Sequence, residues 1–246
     1  MSHPLAPGQG DDRAAAPAPE QRGGQRLRAL LRLADGPLAA ASGAFWNHPR
    51  LAAMFPAFLL RVYCAARAGI GLLEAALGRA RALASRDPVS ARLAEYYERH
   101  VAEERDHPRW LLADLEALGC DGARAAAPSP AVAALVGAPY VWVEHGHPVA
   151  ALGYLAVIEG HPPSAPELER VRARTRLPRE GFRFLHAHAE IDPHHAADLF
   201  RLLDELPLDS DQSSLVGLSA LHTVEGLGAV FAELIALDAA AGGGEP

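Results

Sequence analysis

The sequence predicts an all-α protein built as one domain of about seven helices. Apolar residues recur at intervals of three and four over most of the chain, a spacing that is typical of helices packed on a core. No segment shows the sustained alternation of polar and apolar residues that predicts a strand. Half of the 246 residues are hydrophobic, so one domain of this length can bury a substantial core.

The first three helices follow from composition and capping signals. The segments QRLRALLRLAD and NHPRLAAMFPAFLLRVYCAARAGIGLLEAALGRARALAS are rich in Ala, Leu and Arg, which favours helix. Asp87 is a suitable N-cap for the third helix, and Pro88 suits its first turn. Gly119 suits its end, so a single helix is predicted from Pro88 to Gly119.

The second half of the chain predicts helices in the same way. Two apolar segments within residues 131–160 are separated by EHGHP. Ser164 and Glu167 fit a capping box that begins a polar helix in SAPELERVRARTRL. A helix through FLHAHAEIDPHHAADLF continues into LFRLLDELP, and the last helix is predicted from about Ser210 to Asp238.

The predicted domain comprises residues 25–240, with a disordered tail at each end. Residues 1–24 are rich in Pro, Ala and Gly and lack the basic and then apolar pattern of a signal peptide. Residues 241–246 form the second tail. The longest uninterrupted apolar runs are too short to span a bilayer. We therefore expect a soluble cytoplasmic protein that does not bind membranes.

Charge and residue usage argue against several classes of function. The net charge of −7 disfavours nucleic acid and anionic membranes as partners. All 23 basic residues are arginine, which removes lysine Schiff-base chemistry and a Walker-type phosphate loop. Cys64 and Cys120 form no CxxC pair and predict no disulfide framework. Histidines and carboxylates remain as the candidate groups for chemistry.

The first candidate cluster lies in the helix through Phe184 to Phe200. His188, Asp192 and His195 occupy positions i, i+4 and i+7, which fall within about 60° of one helix face. Two imidazoles and a carboxylate on one face can converge on a divalent cation.

Two other interpretations of this segment stay open on spacing alone. His186, Glu190 and His194 form a rival set within about 80° of one face. Alternatively, Asp192 and Pro193 are the cap and first residue of a new helix, and the histidines are ordinary surface or core residues.

The second cluster is Glu104 and His107, whose Glu-x-x-His spacing places a carboxylate and an imidazole on one helix face. Carboxylate-bridged diiron bundles use this pair from two of their helices. His100 and Glu103 are competing neighbours, and a solvated charged face is the simpler interpretation of the segment. A compatible cluster on a second helix favours the metal-binding interpretation.

The third element is Glu159, which ends the apolar stretch Ala150 to Ile158. A carboxylate in such surroundings is costly unless it is paired, protonated or bound to metal. The alternative is that Glu159 reaches water at a helix end beside Gly160.

The three elements together predict an open metal centre. They offer three carboxylates and three imidazoles without a thiolate, a donor set that suits Fe(II) or Mn(II) better than structural zinc. Six protein ligands for two ions leave coordination positions for dioxygen, water or substrate, which indicates a catalytic site.

The order of these motifs resembles the haem-oxygenase-like diiron oxidases. ExxH is followed by a glutamate after GYLAVIEG and then by HAEIDPHH, which matches that family's HxxxDxxH helix. The resemblance covers most of residues 45–240 and implies a haem-oxygenase-like bundle. It also implies, against the rival set, that the iron ligands are Glu104, His107, Glu159, His188, Asp192 and His195.

The resemblance further implies the cofactors and the reaction. Two Fe(II) ions would react with O2 to oxidise a small carboxylate-bearing metabolite in a biosynthetic pathway. An amino acid is preferred as substrate, and the outcome is desaturation, N-oxygenation or C–C cleavage with decarboxylation. The alternatives are a fatty-acid oxidative decarboxylase, a cofactor-poor enzyme like thiaminase II or pyrroloquinoline-quinone synthase, and a non-catalytic helical interaction module.

Substrate-binding residues and partners are less defined. Arg183 and the segment RVRARTRLPREGFR offer arginines for a substrate carboxylate, but a solvated helix face beside the acidic PELE is the preferred explanation. His145, His147, His161 and His222 are candidates for a cavity, with no assignment among them. The expected partner is a small molecule, and a homodimer is compatible with the sequence.

Overall fold

The computed structural model describes residues 22–121, 126–160 and 162–242 and confirms the all-α prediction. Within these residues the chain forms helices and no strands. A short 3-10 helix, Arg179–Phe182, precedes α8. The α-helices are α1 Gly23–Trp46, α2 Leu51–Leu83, α3 Pro88–Glu104, α4 His107–Ala117, α5 Pro130–His145, α6 Ala150–Ile158, α7 Ala165–Thr175, α8 Arg183–Glu205 and α9 Ser210–Gly242.

The described residues thus form nine α-helices, more than the seven or so predicted. The single helix predicted from Pro88 to Gly119 is wrong, because the chain breaks at Arg105 and Asp106 and α4 begins at His107. Pro108 accounts for the break, since it lacks the N–H that a continuous helix would need and fits a first turn. The break lies between Glu104 and His107, whose side chains are in contact across it.

The predicted caps are confirmed. The Asp87 carboxylate accepts hydrogen bonds from the backbone N–H groups of Val89, at 3.1 Å, and Ser90, at 2.8 Å. Ser164 and Glu167 form the reciprocal capping box at the start of α7. These bonds satisfy N–H groups that the first turn of each helix leaves without partners.

The core lies where α6 crosses α9, flanked by α1, α2 and α5. Every residue of α6 from Ala150 to Val157 is buried. Gly153 allows the two helices to touch: a Cβ atom there would clash with Val216 O and lie 2.8 Å from both Ala220 N and Ser219 Cβ. This close contact seats α6 deep in the bundle, with Glu159 immediately after its last turn.

The predicted N-terminal tail is too long by at least two residues. Gly23 and Gly24 belong to α1, and the Gly24 N–H donates to Asp204 Oδ1 of α8 at 2.9 Å. The predicted C-terminal tail, which begins at residue 241, is also too long, because α9 extends to Gly242. The rest of both predicted tails, residues 1–21 and 243–246, lies outside the described residues.

Two helices, α2 and α9, are long and apolar enough to cross a membrane on length and composition alone. The uninterrupted apolar runs of the sequence do not predict this. The finding is weak evidence for a membrane span, because core helices of soluble proteins meet the same test. Both helices contribute buried residues to the core of the bundle.

Candidate metal centre

Four helix segments bring histidines and carboxylates to one buried place in the bundle. The C-terminal turn of α3 carries Glu104, and α4 begins with His107. Glu159 caps the C-terminus of α6. The middle of α8 presents His188, Asp192 and His195. The structure therefore gathers the six residues that the sequence singled out.

One half of the cluster centres on Glu104. Its Oε2 lies 2.6 Å from His107 Nδ1, and the ring of His107 stands nearly perpendicular to that of His188, with centroids 4.8 Å apart. One potential ligand atom from each of these three residues lies within 4.8 Å of the others. The His188 Nδ1 is 3.0 Å from the Phe184 carbonyl oxygen, so Nδ1–H donates there and leaves Nε2 for a ligand role.

The other half of the cluster centres on His195. Its Nδ1 lies 3.4 Å from Glu104 Oε1 and 3.9 Å from Glu159 Oε1, so this ring faces both carboxylates. Its Nε2 is 3.5 Å from Glu103 Oε2. Glu159 is only 5% exposed, and its Oε1 lies 2.9 Å from Nε2 of His100. The idea that Glu159 reaches water at a helix end is therefore wrong.

The carboxylates of the cluster differ in their electrostatics. Burial by itself raises the pKa of Glu104, but hydrogen bonds from His107 and His188 lower that pKa well below its usual range. Burial also raises the pKa of Asp192, which is 7% exposed, and His188 opposes that rise. The charges of Glu159 and Glu104 add to it, so the pKa of Asp192 is about 7. Burial and the neighbouring carboxylates therefore disfavour the ionised form of Asp192 in the metal-free chain.

Buried polar atoms without hydrogen-bond partners indicate that the site fits a metal ion. Glu159 Oε2 and His195 Nδ1 are buried and have no hydrogen-bond partner among the described residues. A buried polar atom without a partner costs about 1–3 kcal/mol, and a coordinated cation removes that cost. The nitrogen and oxygen donors suit iron or manganese.

The alternatives for the α8 segment do not hold in the structure. His186 pairs with Glu169 of α7 at 3.2 Å, and both Glu190 and His194 are exposed, so the rival set does not converge. The α8 helix runs unbroken through Pro193, so Asp192 does not begin a new helix.

Sequence reasoning treated His100 only as a competing neighbour, and the structure places it inside the cluster. Its ring is 3% exposed and lies edge to face with His195, with centroids 4.8 Å apart. The signal was present in the sequence. His100, Glu104 and His107 have the same i, i+4, i+7 spacing as the α8 motif.

The other polar candidates have mainly structural contacts. Arg183 Nε donates to Asp114 at 3.1 Å, and His147 Nε2 lies 2.9 Å from Asp87 at the start of α3. His222 Nε2 lies 3.0 Å from the Ala134 carbonyl oxygen. His145 is exposed, and His161 lies outside the described residues.

A cavity of about 1130 Å³ opens beside the cluster. His100, Glu104, His107, Glu159, His188 and Asp192 line one part of its wall, and the exposed Arg170 and Arg174 of α7 line another. The remaining wall is predominantly apolar and is formed largely by α1 and α2, with smaller contributions from α6 and α9. Its apolar lining includes Leu38, Trp46, Phe58, Val62, Ala66, Ile70, Leu73, Leu227 and Phe231.

Solved structures of similar fold support the topology. A domain of unknown function with a heme oxygenase-like fold from Shewanella denitrificans OS217 superposes with a TM-score of 0.70 at 18% identity, covering 91% of this chain and 93% of its own. A TenA homologue from Pseudomonas syringae pv. tomato DC3000 gives a TM-score of 0.64 at 12% identity, covering 86% and 91%. These likenesses establish a heme oxygenase-like fold.

Comparison of sequences identifies the family of the chain. No curated protein sequence matches the chain. A family model described as iron-containing redox enzyme matches residues 58–225, which include all six predicted ligands. The match spans well over half of the chain and contains the buried cluster of imidazoles and carboxylates. The chain belongs to the family of iron-containing redox enzymes with a heme oxygenase-like fold.

Proposed function

We propose that this protein is a non-haem diiron oxidase that uses O2 to oxidise a carboxylate-bearing metabolite. The observation that supports the proposal is the convergence of six nitrogen and oxygen donors from α3, α4, α6 and α8 in one buried cluster, five of whose residues line a large cavity. Two bound irons would supply the redox chemistry. The family is consistent with iron, whereas the number of ions and the use of O2 are part of the proposal.

The chain's own residues would hold and insulate the irons. His107, His188 and His195 would supply imidazole nitrogens, and Glu104, Glu159 and Asp192 would supply carboxylates. Each is mostly or wholly shielded from water, which strengthens electrostatic interactions at the site. The bond between His188 Nδ1–H and the Phe184 carbonyl would orient that ring, as partners of metal-bound histidines commonly do.

The volume and the lining of the cavity indicate the class of substrate. Its volume of about 1130 Å³ exceeds the usual range of small-molecule sites, roughly 300–1000 Å³, and most of its lining is apolar. A typical amino acid would leave much of this apolar surface uncovered. The cavity therefore favours the second candidate, a substrate with a long apolar chain such as a fatty acid, over the amino acid that the family resemblance favours.

The lining of the same cavity also indicates where the carboxylate of the substrate lies. Arg170 and Arg174 are its exposed cationic lining residues and stand at its rim. Guanidinium groups pair well with carboxylates. In the proposed complex the carboxylate lies at this rim and the apolar chain lies between α1, α2 and α9. Action in the cytoplasm and assembly as a homodimer remain proposals.

An anaerobic Fe(II) titration tests the metal centre. Wild-type protein should bind about two irons per chain, and His188→Ala should lose at least one of them. His186→Ala is the matched control, because it removes an imidazole from the same helix outside the cluster. Failure of the wild type to bind iron saturably would contradict the proposal and favour a cofactor-poor enzyme or an interaction module.

Rapid mixing of the Fe(II)-loaded protein with O2 then tests the reaction. Loss of the diferrous state should be fast in wild type and should accelerate with the correct substrate. Fatty acids of graded chain length and the standard amino acids should be compared. Turnover of amino acids alone would refute the fatty-acid candidate, and O2 inertness with every substrate would refute the oxidase.

A further inference from the structure

The helices α3 and α8 carry the same arrangement of residues around the metal centre. On α8 an aromatic ring at Phe184 is followed at i+4 by His188, then by Asp192 and His195. On α3 and the start of α4, Tyr96 is followed at i+4 by His100, then by Glu104 and His107. The two series have identical spacing throughout.

The correspondence extends to the packing of the rings. Phe184 stacks on His188 with an interplanar angle of 27° and a centroid distance of 3.8 Å. Tyr96 stacks on His100 with an angle of 13° and a distance of 5.5 Å. In each case the aromatic residue holds the histidine ring from the preceding turn of the helix. His100 is therefore the counterpart of His188, a predicted iron ligand.

His100 also presents a ring nitrogen to the cluster. Its Nε2 lies 2.9 Å from Glu159 Oε1, an ion-pair distance. The Glu159 Oε2 and the His195 Nδ1 are buried and have no hydrogen-bond partner among the described residues. His100, Glu103 and His195 each present a potential ligand atom within 4.8 Å of the others. A bound cation would join ligand atoms that lie this close to one another.

We propose that His100 is a direct ligand of the metal centre, a fourth imidazole beside His107, His188 and His195. This inference rests on the proposed diiron function. It assigns two equivalent histidine–carboxylate–histidine sets, one from α3 and α4 and one from α8, with Glu159 between them. The alternative is that His100 touches no metal and only positions Glu159 through their 2.9 Å contact.

Paramagnetic proton NMR of the Co(II)-loaded protein distinguishes the two roles. A histidine bound to Co(II) gives strongly shifted ring signals, whereas a histidine that only contacts a ligand does not show contact shifts of that size. The wild type should show four sets of such imidazole signals. His100→Gln should show three, with Co(II) affinity at one site reduced at least tenfold. His186→Gln, which alters a histidine outside the cluster, should retain all four.

Each of the other outcomes overturns either the assignment of His100 or the proposed function. Saturable Co(II) binding with three sets of signals in the wild type would overturn the His100 assignment and leave the diiron proposal intact. Four sets that all persist in His100→Gln would overturn it as well. Absence of saturable binding in the wild type would overturn the proposed function itself. The wild-type count does not depend on how well the variant folds.

Discussion

The carboxylate of Asp114 in α4 accepts a hydrogen bond from the backbone N–H of Phe184 at 2.8 Å and so anchors the start of α8. Asp114 is fully buried, and its second oxygen accepts from Arg183 Nε at 3.1 Å. This contact joins the helix that begins with His107 to the helix that carries His188. The relative position of two predicted ligands thus depends on a residue outside the metal centre.

Replacing Asp114 with alanine should destabilise the fold and weaken metal binding together. The Phe184 N–H would lose its acceptor in a buried place, at a cost of about 1–3 kcal/mol in the free energy of unfolding. Urea denaturation of the metal-free protein measures this change. Asp114→Asn is the matched control, because it keeps one acceptor oxygen, and it should lose less. Equal stability of all three proteins would contradict the anchoring role.

The stability of the metal-free protein should fall as pH rises from about 4 to 8. Burial raises the pKa of Asp192 to about 7 in the folded chain, so the folded state binds this proton more tightly than the unfolded state. The stabilisation is complete at low pH and is lost as pH passes through about 7. At 1.36 kcal/mol per pKa unit, the loss is roughly 4 kcal/mol at most.

Asp192→Asn isolates this effect, since an amide cannot ionise. Chemical denaturation at several pH values should show a flatter stability profile for Asp192→Asn than for wild type, with the variant more stable at pH 8. Because other groups titrate over the same range, the quantity to compare is the difference between the two profiles. Parallel profiles would show that Asp192 ionises normally in the folded protein.

Metal binding should quench the fluorescence of Trp110. Its ring centroid lies 4.3 Å from that of His107 and 6.4 Å from that of His188, so a paramagnetic ion on either imidazole would be close to the indole. Titration with Co(II) should therefore reduce the emission. Trp110→Phe should remove most of the change, whereas Trp142→Phe should preserve it. A persistent signal in Trp110→Phe would place the ion elsewhere.

Gly153→Ala should destabilise the protein by about 1–3 kcal/mol, the usual cost of overpacking. The added methyl group would clash with α9 at Val216 O and Ala220 N and push α6 away from it. Glu159 follows α6 directly, so iron affinity should fall as well. Thermal unfolding and Fe(II) titration measure the two effects.

The matched control for this substitution is Gly137→Ala. Gly137 lies within α5, and a Cβ atom there would meet no neighbour within 4 Å. Alanine should therefore stabilise α5 by about 0.5–1 kcal/mol through its higher helix propensity. If both alanine variants behaved alike, the contact between α6 and α9 would not be the cause.

The sequence by itself determined the features that depend on neighbours a few residues apart. Helical periodicity predicted the all-α class, and the caps at Asp87 and Ser164 were correct because capping bonds form within one turn. The spacing of His188, Asp192 and His195 placed them on one helix face for the same reason. Family resemblance then supplied an order of motifs that spacing alone left ambiguous.

Only the tertiary structure decided which of these faces meet. The His186 set has helical spacing nearly as good as that of the His188 set, but Glu169 of α7 contacts His186, while α8 turns His188 toward His107. The burial of Glu159 and the inclusion of His100 depend on how α6 and α3 pack against α8. These are contacts between residues distant in the chain, and their energies come from packing and desolvation, which local spacing does not encode.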